Sequence, residues 1–305
     1  MITFISKRLF YMLIILIGVS LFAFLLSYAT GDPTTLLLSP NATQAEIEAF
    51  RKHIGLDQPV WIQYGRFVYN ILQGEFPRSL TYNQDSFSLL LERLPATLLL
   101  VFSSMALAIF VSFPLGLFLA WRRTSWYTPA LMSLTIIGYS TPIYWEAIIL
   151  VLIFSITLGL LPPSGYGSFK HLILPAFAIA TQQAALLVRM IWGSAVEVLN
   201  TDYVLTVRAK GVSEFAVLLK HVLPNCMIPV VTILGLQFAG LMGNAIMAEV
   251  IFAWPGVARL TVQAIFYRDY PLVQACVIFM AFIFVIANLT VDVAYSILDP
   301  RVRYK

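Results

Sequence analysis

Long stretches without a charged side chain constrain this sequence more than any other feature. A helix that crosses the hydrocarbon core of a bilayer needs about 20 apolar residues. Only 11% of the residues are charged, against about 25% in soluble domains. The chain is therefore predicted to be an all-α integral membrane protein. Seven long windows lack Asp, Glu, Lys and Arg altogether: 9–31, 94–121, 124–145, 147–169, 171–188, 221–248 and 270–291.

Seven windows reduce to six predicted spans. The third and fourth windows are separated only by Glu146, and turn-forming residues flank the pair. One tilted helix from about Pro129 to about Leu158 accommodates both windows. Cationic residues support an even number of spans, because they precede the first and follow the last, which places both termini in the cytoplasm under the positive-inside rule. These residues are Lys7, Arg8, Arg301, Arg303 and Lys305.

The spans divide the chain into three predicted parts. Residues 1–30 form the cytoplasmic N-terminus and span 1, residues 31–93 an outer helical lobe, and residues 94–305 the core with a cytoplasmic loop at 190–225. In the lobe, Thr43 and Glu46 have the spacing of a capping box, and Gly55 is the predicted end of that helix. A second lobe helix is predicted to follow Pro59 and close on Gly74.

The cytoplasmic loop contains a second, smaller helical pattern, RAKGVSEFAVLLKHVLPN at 208–225. Gly211 supplies a tight break, Ser213 is the predicted N-cap of a new helix, and Pro224 is predicted to fix its re-entry into the membrane helix. The apolar stripe of this helix consists of Phe215, Leu218, Leu219 and Val222. Physical reasoning leaves two interpretations open, a helix lying on the lipid surface and a helix that docks on a cytoplasmic partner.

The loop also resembles a known sequence pattern. Gly211, Leu223 and Pro224 match the spacing of E-A-A-x3-G-x9-I-x-L-P, the cytoplasmic loop of ABC importer permeases. The E-A-A positions hold LTV at 205–207 and His221 replaces isoleucine, departures typical of the dipeptide/oligopeptide/nickel branch with its DYVxTxRAKG sequence. Further similar segments follow in the right order along essentially the whole chain, including LPATL at 94–98, FAWPG at 252–256 and RDYP at 268–271.

The resemblance implies a division of labour between subunits. The chain would have the type I ABC importer permease fold and span the bacterial cytoplasmic (inner) membrane. Its partners would be a second homologous permease, two cytoplasmic ATPase subunits and a solute-binding protein, with ATP-Mg bound by the ATPases and no cofactor or metal in this chain. Consistent with that expectation, the sequence lacks G-x-x-x-x-G-K-[ST], so it is not expected to be an enzyme.

The same resemblance implies which residues couple the permease to its ATPase. These are Ala209, Gly211, Phe215, Leu218, Leu219, Leu223 and Pro224, with the three residues at 215, 218 and 219 as the docking face. The expected substrates are dipeptides or oligopeptides, and the alternative is nickel or a metal chelate. A different class, a secondary transporter driven by an ion gradient, calls for internal repeats, and the sequence shows none.

Two carboxylates are candidates for the translocation pathway. Glu146 lies within a span, where a charge is expensive unless it is paired or wetted. It is either a pathway residue that meets a peptide amine or a cation, or a carboxyl that is protonated or paired within the bundle or solvated near the interface. Glu249 lies at the outer end of span five and either faces the pathway or pairs locally. A short helix is predicted after Pro255 and Gly256, and Cys226 and Cys276 are predicted to be buried thiols.

Overall fold

The computed structural model describes residues 2–29, 43–54 and 57–298. Within these residues the regular structure is helical apart from one isolated bridge between Arg78 and Asp85, which confirms the all-α prediction. The helices are α1 Ile2–Ala29, α2 Gln44–Ile54, α3 Val60–Leu72, α4 Ser86–Trp121, α5 Tyr127–Ser140, α6 Ile143–Leu150 with a π-helical extension Val151–Thr157, α7 Phe169–Leu199, α8 Asp202–Ala209, α9 Glu214–Ala216 with a π-helical extension Val217–Val222, α10 Leu223–Ile251, α11 Val257–Phe266 and α12 Tyr270–Leu298.

Four of these helices, α1, α4, α7 and α12, are long and apolar enough to cross a membrane by themselves. Two bent pairs, Tyr127–Ser140 with Ile143–Thr157 and Glu214–Met227 with Pro229–Phe238, bring the count to six if each pair is one span. Six spans is the number that the charge-free windows predict.

The third span is broken, so the prediction of one continuous helix from Pro129 to Leu158 is wrong. Helix α5 ends at Ser140, Thr141 is extended with ψ 123°, and α6 leaves at 104° to α5. Pro142 causes the break, because it has no N–H for the helical ladder and it disfavours the α conformation at the residue before it. The signal was present in the sequence, where a proline stands in the middle of an apolar run.

By its internal contacts the chain divides into two units, Met1–Pro95 with Gly256–Val285, and Ala96–Pro255 with Ile286–Lys305. In the first unit the start of α4 packs on α11 and α12. Leu90, Leu260, Leu272 and Cys276 are at most 2% exposed in this core. The predicted short helix after Gly256 is confirmed as α11.

A buried carboxylate ties the segment before α4 to the start of α12. Asp269 is 1% exposed and accepts hydrogen bonds from the Ser79 hydroxyl at 2.5 Å and the Thr81 amide at 2.9 Å. Its other oxygen accepts from the Leu272 amide at 3.2 Å, so Asp269 also caps α12. Three donors satisfy the charge, and the carboxylate fixes two chain segments 190 residues apart.

The two predicted helices of the outer lobe are confirmed as α2 and α3. The capping box forms, since the Glu46 carboxylate accepts from the Thr43 amide at 2.8 Å and the Glu46 amide donates to the Thr43 hydroxyl at 3.4 Å. These bonds hold the pKa of the exposed Glu46 below its ordinary value. Helix α3 closes on Gly74 at φ +82°, as predicted. The predicted stop at Gly55 and the cationic C-terminus lie outside the described residues.

In the second unit α7 lies at the centre and packs against α5, α6 and α10. It also approaches α4 closely at Gly116, where an added Cβ would stand 2.8 Å from the Ile191 side chain. Small residues of this kind let membrane helices pack closely. Both cysteines are free and buried, which confirms the prediction for Cys226 and Cys276.

Candidate functional site

Residues 202–224, hereafter the 202–224 segment, form two short helices joined by a sharp break. Helix α8 begins after Thr201, and Gly211 follows it at φ +79°, a conformation that side-chain-bearing residues rarely adopt. The Gly211 amide closes the turn on the Arg208 carbonyl at 2.9 Å. Helix α9 begins after Ser213 as predicted, although the Ser213 side chain makes no capping hydrogen bond. The break therefore depends on the glycine.

An ion pair spans this break. Arg208 donates from Nε and Nη2 to the two carboxylate oxygens of Glu214, at 2.8 and 3.0 Å. Both side chains are partly exposed, so the pair contributes at most about 1 kcal/mol to stability. Its bidentate geometry instead sets the angle between the two helices. Sequence reasoning missed this pair, because the two residues are adjacent only once Gly211 has turned the chain.

A second set of bonds joins the far end of the segment to its beginning. The Tyr203 hydroxyl donates to the His221 carbonyl at 2.9 Å, and the Asn225 amide donates to the same oxygen at 2.7 Å. The rings of Tyr203 and His221 also meet edge to face. The two helices of the segment are thus joined by side-chain hydrogen bonds both at the break and between the segment's two ends.

One face of the segment is built into the core of the second unit. Val204, Val217 and Val222 have no exposed surface and pack in the same cluster as Ile191 and Leu199 of α7. Interiors packed in this way transmit displacement with little give. A push on the segment is therefore passed to α7, the helix at the centre of the unit.

The opposite face is exposed and apolar. Phe215 is 73% exposed and Leu219 41% exposed, and both line an apolar groove of about 930 Å³ along the second half of α4. Ala209, Gly211 and Pro224 are also exposed, and Leu223 is half-buried. Leu218 departs from the prediction, because it is 7% exposed and belongs to the core. The π-helical turn Val217–Val222 rotates Leu218 away from the face that an α-helix would give it. The predicted docking face therefore reduces to Phe215 and Leu219.

The membrane re-entry also differs from the prediction. Pro224 lies in the first turn of α10, where a missing N–H is tolerated, and the helix continues through it. The bend of 58° falls between Met227 and Pro229, inside α10. Pro229 is the more disruptive proline because it removes an interior hydrogen bond.

Glu249 is enclosed in this structure. It has no exposed surface, and the Thr97 hydroxyl donates to its Oε1 at 2.6 Å. The nearby Trp254 indole donates to the Ala96 carbonyl at 2.8 Å, which holds the end of α10 to the same stretch of α4. This arrangement fits the alternative of local pairing for Glu249.

The Glu146 carboxylate is only partly enclosed by the protein. It lies in the first turn of α6 and is half-buried, and its Oε2 is buried without a hydrogen-bond partner. The Thr181 side chain lies within hydrogen-bonding reach of the Glu146 carboxylate, and its hydroxyl also donates to the Phe177 carbonyl at 3.0 Å. No cationic side chain among the described residues bonds to Glu146.

Sequence comparison decides the family. Residues 112–304 match the family described as binding-protein-dependent transport system inner membrane component, and residues 1–101 match its N-terminal region. The chain belongs to this permease family. It is accordingly a non-catalytic, multi-pass inner-membrane subunit of a binding-protein-dependent ABC importer.

Relatives of the permease match it from end to end. It is 37% identical to the oligopeptide permease AppB of Bacillus subtilis, 35% to the dipeptide permease DppB of Alkalihalophilus pseudofirmus and 39% to the glutathione permease GsiC of Escherichia coli, with all of both chains covered in each case. None of these three names mentions nickel or another metal. The alternative of nickel or a metal chelate is therefore not supported by these relatives.

Solved structures confirm the fold of the permease. The inward-facing MetNI methionine ABC transporter aligns with a TM-score of 0.60 at 17% identity, over 70% of this chain and 97% of that one. An amino acid ABC transporter aligns with a TM-score of 0.51 at 18% identity, over 70% and 94%. At these identities the likeness supports the fold alone.

Proposed function

We propose that the chain is one of two permease subunits of an importer of dipeptides or oligopeptides, and that its 202–224 segment receives the mechanical work of a cytoplasmic ATPase. The other members of the complex are a second homologous permease, two ATPase subunits that bind ATP-Mg, and a solute-binding protein. Both termini and the 202–224 segment then lie on the cytoplasmic side.

The observation that carries the coupling role is the two-sided character of the 202–224 segment. Phe215 is among the most exposed aromatic side chains, while Val217, two residues away, has no exposed surface. A helix resting on lipid needs only an apolar face. A helix that transmits force needs in addition an attachment to the membrane helices, and the buried valines that pack with α7 support this, while the Arg208–Glu214 pair joins the two short helices to each other.

Peptide substrates are supported by what the full-length relatives are named for. Oligopeptides, dipeptides and glutathione share amide bonds, a free amino group and at least one carboxylate. A transport path for this class needs a few polar groups that bind the amide, amino and carboxylate groups of the substrate. The rest of its lining can be small or apolar side chains.

Retention of the ATPase tests the coupling role. Phe215→Asp places a charge on the proposed docking face, and we expect a tagged permease carrying it to lose most of its co-purifying ATPase while it remains in the membrane. Phe266→Asp is the matched control, because Phe266 is 80% exposed on α11, in the other unit. Normal retention by Phe215→Asp, with normal uptake, would refute docking at this face.

A further inference from the structure

Polar side chains form a layer near the middle of three spans of the second unit. Glu146 follows the break that divides the third span, Gln182 and Gln183 lie near the centre of Phe169–Leu199, and Gln237 lies at the centre of Leu223–Ile251. The three helices that carry them are in mutual contact. Such groups are expensive at the centre of a bilayer, so each one requires a physical reason.

Two of these groups have a structural role. The Gln182 amide donates to the Thr141 carbonyl at 2.8 Å, which satisfies a backbone acceptor at the break before Pro142. The Gln237 amide donates to the Gln183 carbonyl at 3.3 Å and links α10 to α7. These bonds account for the amide nitrogens of both glutamines.

Glu146 is only partly satisfied. A carboxylate only accepts hydrogen bonds, and the Thr181 hydroxyl within its reach also donates to the Phe177 carbonyl. The buried face of α6 is formed by Ile143, Ala147 and Leu150, and Glu146 lies at the edge of that face. Its Oε2 is buried without a hydrogen-bond donor, whereas the residue as a whole is only half-buried.

Because Glu146 is half-buried, part of its side chain faces either lipid or the transport path. A charge directed at lipid near the middle of the bilayer costs about 3 kcal/mol or more, whereas a charge beside a water-filled path or a bound cation does not carry that penalty. A carboxylate with unfilled acceptor sites fits a ligand that brings positive charge and several N–H donors. A primary ammonium group has both properties.

We propose that Glu146 lines the transport path and receives the protonated amino group of the peptide as it passes the middle of the membrane. This inference rests on the proposed function, because it takes peptides as the substrate class. It identifies one specificity-determining residue in the permease itself, in addition to whatever selection the solute-binding protein makes. The buried Gln237 Oε1, which also lacks a partner, is a second acceptor in the same layer.

Uptake of a peptide and its N-acetyl analogue tests the charge requirement. The assembled transporter is reconstituted in vesicles, and initial uptake rates are corrected for the affinity of the binding protein for each peptide. In the unaltered transporter the free-amine peptide is expected to enter about tenfold faster, as one charge-assisted hydrogen bond would produce. Glu146→Gln should abolish this preference, and Glu146→Asp should restore most of it. Equal rates for both peptides in the unaltered transporter would overturn the proposal.

ATP hydrolysis separates failure of this inference from failure of the proposed function. If unaltered transporter shows no binding-protein-stimulated ATP hydrolysis, the proposed function itself fails. If hydrolysis is normal and Glu146→Gln keeps the preference for the free amine, only the role of Glu146 fails, and the carboxyl is structural. Glu92→Gln is the control, since Glu92 is exposed in the other unit.

Thiol labelling tests whether water reaches the position. In a background without Cys226 and Cys276, a cysteine at position 146 should react with a membrane-impermeant thiol reagent, and bound peptide should slow the reaction. Phe110→Cys is the control, because Phe110 is 77% exposed on α4 and lines the apolar groove. Reactivity at 146 no greater than at 110 would contradict a water-filled path beside Glu146.

Discussion

Three carboxylates of this chain look alike in the sequence but differ in how they are satisfied. Asp269 is completely surrounded by donors, Glu249 accepts from Thr97 in a closed site, and Glu146 has an oxygen without a donor. The Ser79 donor to Asp269 and the Thr97 donor to Glu249 lie 190 and 152 residues away in the sequence. No local pattern reveals such partners, which is why the enclosure of Glu249 by Thr97 and the role of Asp269 went unpredicted.

Replacing Asp269 tests its structural role. Asp269→Ala leaves the Ser79 hydroxyl and the Thr81 and Leu272 amides without their acceptor, and we expect the free energy of unfolding to fall by about 3 kcal/mol. The measurement is the thermal midpoint of the purified permease in detergent, with the exposed Glu92→Ala as control. A midpoint equal to that of the control would show that these donors find other partners.

Among the elements, the short helices and breaks show how far local sequence determines structure. The Thr43–Glu46 capping box, the stop at Gly74 and the turn at Gly211 follow from residue types at fixed spacings, and all three form. The effect of a proline was harder to predict, because its position within a helix decides it. Pro224 lies in a first turn and is accommodated, whereas Pro142 and Pro229 lie where their missing N–H breaks or bends a span.

Gly211 gives the clearest prediction at this scale. Proline fixes φ near −65°, so Gly211→Pro cannot adopt the observed φ of +79° and also loses the amide that bonds to Arg208. We expect the altered permease to insert into the membrane but to lose coupling. Gly211→Ala should have a milder effect, about 1–2 kcal/mol of local strain. ATP hydrolysed per peptide imported is the quantity to compare, and an unchanged ratio in Gly211→Pro would show that the break is dispensable.

At the scale of the whole molecule, the composition and the charge-free windows predict an all-helical membrane protein with six spans, and the loop pattern predicts the family. They do not predict the tertiary packing of individual side chains. The burial of Leu218 depends on a π-helical turn, and the partial exposure of Glu146 depends on how α6 packs on its neighbours. Both are consequences of packing that hydrophobic periodicity does not encode.

This permease is expected to move substrate against a gradient only when another protein supplies the energy. Peptide accumulation in vesicles is the direct measurement, made with the permease pair and binding protein alone and then with the ATPase and ATP added. We predict no accumulation above the external concentration in the first case and uphill accumulation in the second. Uphill accumulation without any nucleotide-hydrolysing subunit would contradict the account.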